Sequence, residues 1–353
     1  MTASTGSQAT LTERAAAPGR LELPPAELGL TWRALHAADA DAILDLTARS
    51  TAVDKPMSTP SPAQVADAFD PARTTVVDSL GGFAPADGDD EASLQAVGVV
   101  YLPSGDTDVV RAFLTGTVAP EWRTRGVGTA LLRWQVGRAR QLLAADGRNL
   151  PGRIATYVDE HLTERRLLVT EAGFRPKRTF QEMRRPVSGD PLPEIHLGAG
   201  LRLVNWSRDL DDEVREAHNE AFADHWGSQP MSHDSWRRVN RELEPRWSKI
   251  ALARTADGGE EVAGYATTSR HEHTWEQLGF SEGYTELLGV RRPYRGRGLA
   301  RALLVAVIEA LAEDGIDSAG LDVDTVNPSG AHHFYERLGY QRHGARTLYT
   351  IEI

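Results

Sequence analysis

The sequence predicts two tandem domains of mixed α/β character, of the α+β kind. Three observations carry that reading: the length, a proline- and glycine-rich break near the middle, and one order of strands and helices that occurs on both sides of it. At 353 residues the chain is long for one domain, because domains usually hold roughly 100 to 200 residues. The break, RPVSGDPLPEIHLGAG from Arg185 to Gly200, lacks apolar periodicity and reads as a linker. It places a linker at 187–199 between a domain over 30–186 and a domain over 200–353, after a flexible tail over 1–29.

The elements follow from periodicity and breakers. In the first half a helix over Ala38 to Arg49 precedes strands at Thr74 to Val77, Leu94 to Tyr101 and Val109 to Val118. A glycine-rich turn, a helix to about Ala145, a strand at Arg153 to Val158, a helix and the pair Gly173-Phe174 complete it. In the second half a helix over Asp211 to Ala223 precedes strands at Ile250 to Arg254, Glu261 to Ser269 and Tyr284 to Val290. The turn, a helix to Glu313, a strand at Ser318 to Thr325, a helix and Gly339-Tyr340 follow. Arg123 and Arg295 lie 172 positions apart (295 − 123), and Gly173 and Gly339 lie 166 apart (339 − 173), so the register is kept over a whole domain. Such spacing marks a duplicated domain, well above the periods of solenoid repeats.

Composition narrows the function. With 41% hydrophobic and 25% charged residues the chain can fill two cores. A formal net charge of −11 argues against nucleic acid and anionic membrane as partners, since both are bound through Lys and Arg. There is no cysteine, which removes disulfides, thiolate metal ligands and thiol nucleophiles together. The start, MTASTGSQATLTERAAAPGR, lacks a basic segment and an apolar core, so a cytoplasmic protein, monomer or homodimer, is expected.

The repeated turn is the strongest local signal. It reads Arg123-Thr124-Arg125-Gly126-Val127-Gly128 in the first half and Arg295-Gly296-Arg297-Gly298-Leu299-Ala300 in the second. Glycines let the backbone approach a ligand, and the first amides of the following helix have no intrahelical partner. Those amides and the helix dipole favour a phosphate or pyrophosphate. Neither copy has the Gly-Lys-Ser/Thr of a P-loop, and neither has the third glycine of a dinucleotide fold.

Strand, R-x-x-G-x-G/A and helix, followed in the second half by Asn327 to Tyr340 with the pattern N-x-x-x-A-x-x-F-Y-x-x-L-G-Y, resemble the GNAT family of N-acetyltransferases. The tandem arrangement is similar to the mycothiol synthase group within it, over nearly all of residues 30–353. The resemblance implies GNAT-like domains, each a mixed, mostly antiparallel sheet flanked by helices, and acetyl-CoA as acyl donor without a metal. It implies that Arg295, Gly296, Arg297, Gly298 and Ala300 cradle the pyrophosphate, with Arg123, Arg125, Gly126 and Gly128 as the first-half counterparts. Leu288 and Val290 would meet the thioester and pantetheine through their backbone, and Asn327 the pantetheine arm. Tyr335 would protonate the departing thiolate. For the base, related tandem enzymes carry a glutamate where this chain has Tyr284; Glu286, two residues on and on the same face by strand alternation with Leu288 and Val290, is the candidate, with Glu282 behind it. Acceptor binding would fall to Asp224, His225, Trp226 and His233.

His271 and His273 in RHEHTW lack further metal ligands at a useful spacing and read as an exposed strand end or loop. Aligning the halves puts Val169 on Tyr335, Leu114 on Glu286 and Ala112 on Tyr284. The first half therefore keeps a phosphate cradle and is expected to do little chemistry, since aliphatic groups cannot exchange protons. Three functions fit: acetylation of a small primary amine by direct attack in the second half, acetylation of protein lysines or N-termini, and a regulator that binds acetyl-CoA without turnover.

Overall fold

The structure is a computed structural model that describes residues 9–70, 76–85, 92–103, 105–223, 225, 227–325 and 331–353. Its chain divides into two compact units: 1–178 with 346–353, and 179–345. The first carries helices α1 (Leu11–Ala15), α2 (Ala40–Asp54), α3 (Pro62–Asp67), α4 (Val127–Ala145) and α5 (Thr163–Glu171). Its strands are β1 (Thr31–Arg33), β2 (Val76–Ala84), β3 (Ser93–Leu102), β4 (Val110–Val118) and β5 (Gly152–Asp159). Strand β6 (Arg175–Pro186) leads into the second unit. There follow β7 (Leu201–Asn205), β8 (Lys249–Arg254), β9 (Glu260–Arg270), β10 (Glu282–Val290) and β11 (Ser318–Asp324), with helices α6 (Asp211–Ala221), α7 (His233–Val239), α8 (Glu272–Leu278), α9 (Leu299–Glu313) and α10 (Ala331–Glu336). The last strand, β12 (Gln341–Glu352), returns from Arg346 onward to the first unit.

The two units share one topology. In the first, β1 to β4 are joined antiparallel in sequence order, β4 pairs β5 in parallel, and β12 closes antiparallel on β5. In the second, β7 to β10 are joined antiparallel, β10 pairs β11 in parallel, and β6 closes antiparallel on β11. Each sheet is thus mixed, mostly antiparallel and flanked by helices. The strand that completes each sheet comes from the end of the other repeat. The linker reading at 187–199 located the turn after β6, whereas the units change hands at Arg178/Thr179 and Ala345/Arg346. Periodicity along a strand cannot reveal this exchange, because either closing strand presents a similar alternation to either sheet.

Helices cover both faces. In the first unit Val127, Leu131 and Leu143 of α4 pack with Val100, Leu114 and Ile154, while Ile43 and Leu46 of α2 pack with Phe83, Leu94 and Val97. In the second, α9 buries Leu299, Leu303, Leu304, Val307, Ile308 and Leu311 on one face. Val214 of α6 and Trp236 of α7 meet Ile250, Val262 and Tyr265 on the other. Each such side chain contributes about 1.5 to 3 kcal/mol when fully buried, so α9 anchors its sheet. Among the described residues no helix is long and apolar enough to cross a membrane.

The flexible tail is corrected in part. Thr10 caps α1 with a reciprocal capping box through Glu13, and Leu11 and Ala15 are buried in the α4 core. Leu21 also packs there. The polar composition of the stretch hid two apolar residues one helical turn apart, which suffice to dock a short helix. The predicted strand at Thr74 to Val77 lies mostly outside the described residues, and the strand that is described, β2, runs on to Ala84.

Because β5 is closed by β12, a fragment of residues 1–186 exposes an unpaired strand edge. Removing residues 346–353 from the full chain is expected to abolish slow amide exchange in β5 while leaving α9 and β9 protected. Hydrogen exchange read by mass spectrometry checks this, and unchanged protection of β5 contradicts the strand assignment.

Candidate active site

In the second unit β10 and β11 pair only from Glu282–Ser318 to Thr285–Leu321; β10 then runs to Val290 and β11 to Asp324 with no further pairing between them. The strands part, and the edge of β10 that faced β11 is left without a strand partner. At the parting point β10 also carries a bulge against β9, between Thr285 and Leu287. The extra residue is Glu286. A bulge reverses the alternation that follows it, and this corrects the sequence expectation that Glu286, Leu288 and Val290 share a face. Gly283, before the bulge, faces Leu311 of α9. Leu288 and Val290, after it, face the same α9 core, while Leu287 turns to the α6–α7 side. Strand periodicity assumes an unbroken ladder, so it misses the reversal.

Beyond Val290 a single turn, Arg292–Tyr294, leads to the glycines. Gly296 and Gly298 have φ of 74° and 78°, in the left-handed region that disfavours a side chain, and Gly298 is the N-cap of α9 without a side-chain cap. The first amides of α9 are therefore free for an anion. Arg295 braces the turn, donating from Nε to the Val290 carbonyl at 3.1 Å and from Nη2 to the Ala221 carbonyl at 2.7 Å. Arg297 is exposed with its guanidinium over the Tyr294 ring at 5.5 Å. An open strand edge, an uncapped helix start and an exposed arginine beside it are groups that could take a long, phosphate-bearing ligand.

The first unit builds the same turn. Arg123 Nε donates to the Val118 carbonyl at 3.1 Å, and Arg125 lies over the Trp122 ring at 5.1 Å. Gly126 is the uncapped N-cap of α4 at φ 84°, and Thr124 takes a φ of 59° where the second copy has Gly296. A β-branched residue in that region is strained. The remaining guanidinium nitrogens of Arg123 bind both oxygens of Asp54 at 2.6 and 2.8 Å. At Gly128 a Cβ would meet Leu168 of α5 in ordinary contact at 3.5 Å, as Ala300 places one in the second copy.

The surroundings differ. β4 pairs β3 in unbroken register, without a bulge. Ala112, Leu114 and Val169 are buried in the apolar core. β4 and β5 also part, after Phe113–Ala155, but Arg165 of α5 reaches the β4 edge and donates to the Gly116 carbonyl at 3.2 Å. Gly116 aligns with Leu288, and Arg165 aligns with Ala331. Burial pulls the Arg165 guanidinium down from its ordinary value, opposed by the charges of Asp159 and Asp54. Sequence alignment of the glycine turns had no reason to inspect position 165.

Tyr335 lies on α10 with its ring 5.1 Å from Phe334 and 6.0 Å from Tyr340. Burial pushes its hydroxyl up to about 12, so the phenol stays protonated across the physiological range and can act only as a donor there. Among the described residues no hydrogen bond or ion pair joins it to Glu286. Asn327, Asp224 and Trp226 lie outside the described residues.

Glu286 meets a group the sequence reading passed over. Its Oε1 lies 3.2 Å from Nε2 of His271, and Oε2 of Glu242 lies 3.3 Å from the same nitrogen. His271 stands at the start of α8, its ring 5.9 Å from that of Tyr284. His271 follows the end of β9 and caps α8, as the strand-end or loop reading expected, and His273 is exposed, but the His271 ring is part-buried beside Tyr284, which corrects the expected exposure. Burial lowers the imidazole's value, but the hydrogen bond and charge of Glu286, with the charges of Glu242 and Glu282, outweigh it and the net direction is up. Glu282 is buried and pairs with Arg184 of β6 at 2.7 Å, and Arg184 also pairs with Glu182 at 3.1 Å. Gly320, between these strands, permits the crossing, because a side chain there would strike the Glu282 carboxyl and the Tyr284 ring. Burial raises Glu282 and Arg184 opposes it, the net direction being up. Among the described residues no group of three or more His, Asp or Glu side chains is placed to hold a metal ion.

Of the residues assigned to the acceptor, His225 packs its ring edge-on against Phe222 at 5.5 Å. His233 opens α7, exposed, with Nδ1 at 2.9 Å from Asp212. His218, at the head of the same stretch, is buried, hydrogen-bonded through Nδ1 to the Tyr265 hydroxyl, and lowered to about 4 by desolvation. It belongs to the core. A histidine held neutral in the fold gives stability that is complete above its unfolded value near 6.5 and is lost as pH falls through the folded value. The contribution is about 3 kcal/mol. Denaturant unfolding of wild type and His218→Gln at pH 7 and pH 4.5 is expected to show the larger acid loss in wild type; equal losses contradict the buried neutral state.

Comparison with known proteins gives the family and the fold. The Acetyltransferase (GNAT) family matches residues 212–340. A mycothiol acetyltransferase of Gordonia bronchialis is 30% identical over 313 residues, covering 78% of this chain and 94% of the relative. One from Streptomyces avermitilis is 33% identical over 258 residues, covering 72% and 76%. Among solved structures, a GCN5-related N-acetyltransferase from Sphaerobacter thermophilus has a TM-score of 0.67 at 24% identity, over 94% of this chain and 97% of that one. A tandem GNAT protein from the clavulanic acid biosynthesis pathway has a TM-score of 0.64 at 18% identity, over 92% and 98%. At these identities the solved structures speak to the fold alone.

Proposed function

This chain belongs to the GNAT family of acetyltransferases and uses acetyl-CoA as its acyl donor, and from that premise we propose that its second unit transfers the acetyl group to the primary amine of a small molecule by direct attack. The observation that carries the proposal is the contrast between two copies of one turn. The second is followed and preceded by groups that can move protons, Glu286 at the bulge and Tyr335 on α10; the first has Leu114 and Val169 buried at the matching positions. With no cysteine to form an acyl-enzyme, a ternary complex is the route left.

Acetyl-CoA supplies an acetyl thioester whose carbonyl carbon is the electrophile. The open edge of β10 at Leu288 and Val290 orients the arm, and the α9 amides, with Arg297, hold its phosphates. Asn327 is proposed for the arm as well. The Glu286 side of the site draws a proton from the acceptor, an alkylammonium with an ordinary value near ~10.4. Tyr335 hands its proton to the leaving sulfur. Carboxylates Glu242, Glu282 and Glu286 around one imidazole favour a cationic acceptor; Asp224, His225, Trp226 and His233 are proposed to bound it. The relatives' name, mycothiol acetyltransferase, suggests an amine of that chemistry, and Tyr284 in place of the carboxylate of related enzymes favours testing other amines too.

Thiol release from acetyl-CoA with glucosamine, cysteamine, spermidine and a lysine peptide is the direct assay. Tyr335→Phe and Glu286→Gln are each expected to lower kcat by about 10²-fold or more. If both leave kcat unchanged, the second unit does not use these groups; a preference for the peptide would favour the protein-acetylating reading.

In the first unit, Arg165 donates to the one carbonyl that aligns with Leu288. We propose that this guanidinium stands where the arm's amide would bind, so the turn of Arg123, Arg125, Gly126 and Gly128 serves as scaffold. Equilibrium dialysis is expected to give one acetyl-CoA per full chain, rising to two in Arg165→Ala; two per chain in wild type contradicts it.

A further inference from the structure

We propose that His271 is the group of the second unit that accepts the acceptor amine's proton, through Nδ1, and that Glu286 and Glu242 are positioning residues that fix its other nitrogen. This rests on the reading of the second unit as the acetyl-transferring one and changes which atom performs the first proton transfer.

Three observations on different elements support it. First, the hydrogen bond of His271 is to Glu286, whose Oε1 from the β10 bulge lies 3.2 Å from Nε2, while Glu242, from the segment before β8, brings a second carboxylate to 3.3 Å from the same nitrogen as a charge without a hydrogen bond. Two carboxylates cannot face a lone pair, so Nε2 carries hydrogen. In a neutral imidazole the other nitrogen is then the acceptor. Second, Nδ1 makes no hydrogen bond among the described residues, and the ring retains a quarter of its surface, with a side-chain exposure of 26%. Third, the ring lies beside Tyr284, 5.9 Å between centroids, and Tyr284 occupies the position at which related tandem enzymes were expected to carry their carboxylate. A phenol cannot serve as the base at neutral pH, and the imidazole next to it can. Glu286 keeps the face of Glu282 and Tyr284 toward His271, and the bulge turns the residues that follow it, so that Leu288 and Val290 face α9 instead.

The groups around His271 all bear on its charge. From β10 it faces Glu282, Tyr284 and Glu286, and from the segment before β8 Glu242. From its own segment His273 lies 5.9 Å away ring to ring, and Arg270 is turned aside, paired with Glu272 and lying over Trp247 and Trp275. Arg184 compensates Glu282 one layer further out. The balance around the ring is negative, which favours the imidazolium formed once the proton is taken up. A carboxylate that orients an imidazole and stabilises its charged form is the logic of the hydrolase triad, applied here to an amine.

The step balances without an added reagent. The ammonium gives one proton to His271 Nδ1; the freed lone pair of the amine bonds to the thioester carbon as the carbonyl π pair moves to oxygen, and the second proton on nitrogen leaves to solvent as the carbonyl re-forms. The C–S bond then breaks with its pair on sulfur, which takes the proton of the Tyr335 hydroxyl. Exchange with solvent returns one proton to Tyr335 and removes one from His271.

Two measurements on the full chain test this. In 15N-detected NMR the ring assigned by its loss in His271→Asn is expected to be the Nε2–H tautomer when neutral and to titrate above 6.5, with Glu286→Gln and Glu242→Gln each moving that titration downward. A ring that titrates at or below 6.5 in wild type, or that neither variant moves, overturns the proposal. In the thiol-release assay, the acid limb of kcat/KM for the best of the four amines is expected to follow the NMR value and to shift with Glu242→Gln. His271→Asn is expected to lose about 10²-fold in kcat/KM with acetyl-CoA binding by dialysis unchanged, which separates lost chemistry from lost folding. An active wild type whose His271→Asn variant keeps its rate and its acid limb refutes the role of His271 alone. A wild type that acetylates no amine while its ring titrates as expected refutes the transferase assignment of this unit instead.

Discussion

The parallel pair in each sheet is held at one end and released at the other, and most of what is distinctive in this protein depends on that release. Antiparallel neighbours can follow each other to their ends, but a parallel pair joined through a helix is free to splay where the helix no longer draws the strands together. In the second unit α9 packs Leu311 against Gly283, where β10 and β11 pair, and its glycine-capped start lies past Val290, where they have parted. The result is an exposed strand edge that leads directly to an uncapped helix terminus. Backbone groups that must find partners are thereby left on a surface open to a ligand.

The same release in the first unit is met differently. An arginine from α5 takes one of the freed carbonyls, an aspartate takes the arginine of the turn, and aliphatic side chains fill the positions next to the parting point. Each is a way to satisfy polar groups or exclude water without a ligand. The strained Thr124 remains as a trace of the glycine that the second copy retains. The first unit shares the architecture of the second, with these polar groups met from within the protein.

The polar layer under β10 shows how costly groups are kept in place. Glu282, Glu182, Arg184, Glu242, Glu286 and His271 are drawn from four separate segments, and buried charges of this kind are tolerated only when paired. Their arrangement depends on two local irregularities, the Glu286 bulge and the absent side chain at Gly320. Neither stabilises the sheet by itself: the absent side chain at Gly320 leaves room for the Glu282 carboxyl and the Tyr284 ring, and the bulge turns the residues after Glu286 to the opposite face.

The order of elements, the duplication, the repeated glycine turn and the residue types that differ between the two copies were legible in the sequence, because each depends on residue types at fixed local spacing. Gly298 before an apolar-periodic helix, or Val169 where Tyr335 should be, needs no knowledge of distant contacts. Three things were decided only by the tertiary structure. The exchange of closing strands between units follows from pairing over long sequence separations, to which alternation is blind. The faces of Glu286, Leu288 and Val290 follow from a bulge, and a single extra residue inverts any prediction made from period two. The meeting of His271 with Glu242 and Glu286 joins residues up to 44 positions apart (286 − 242) on three different elements, and a carboxylate's effect on an imidazole is a matter of ångströms in space, which spacing along the chain does not encode.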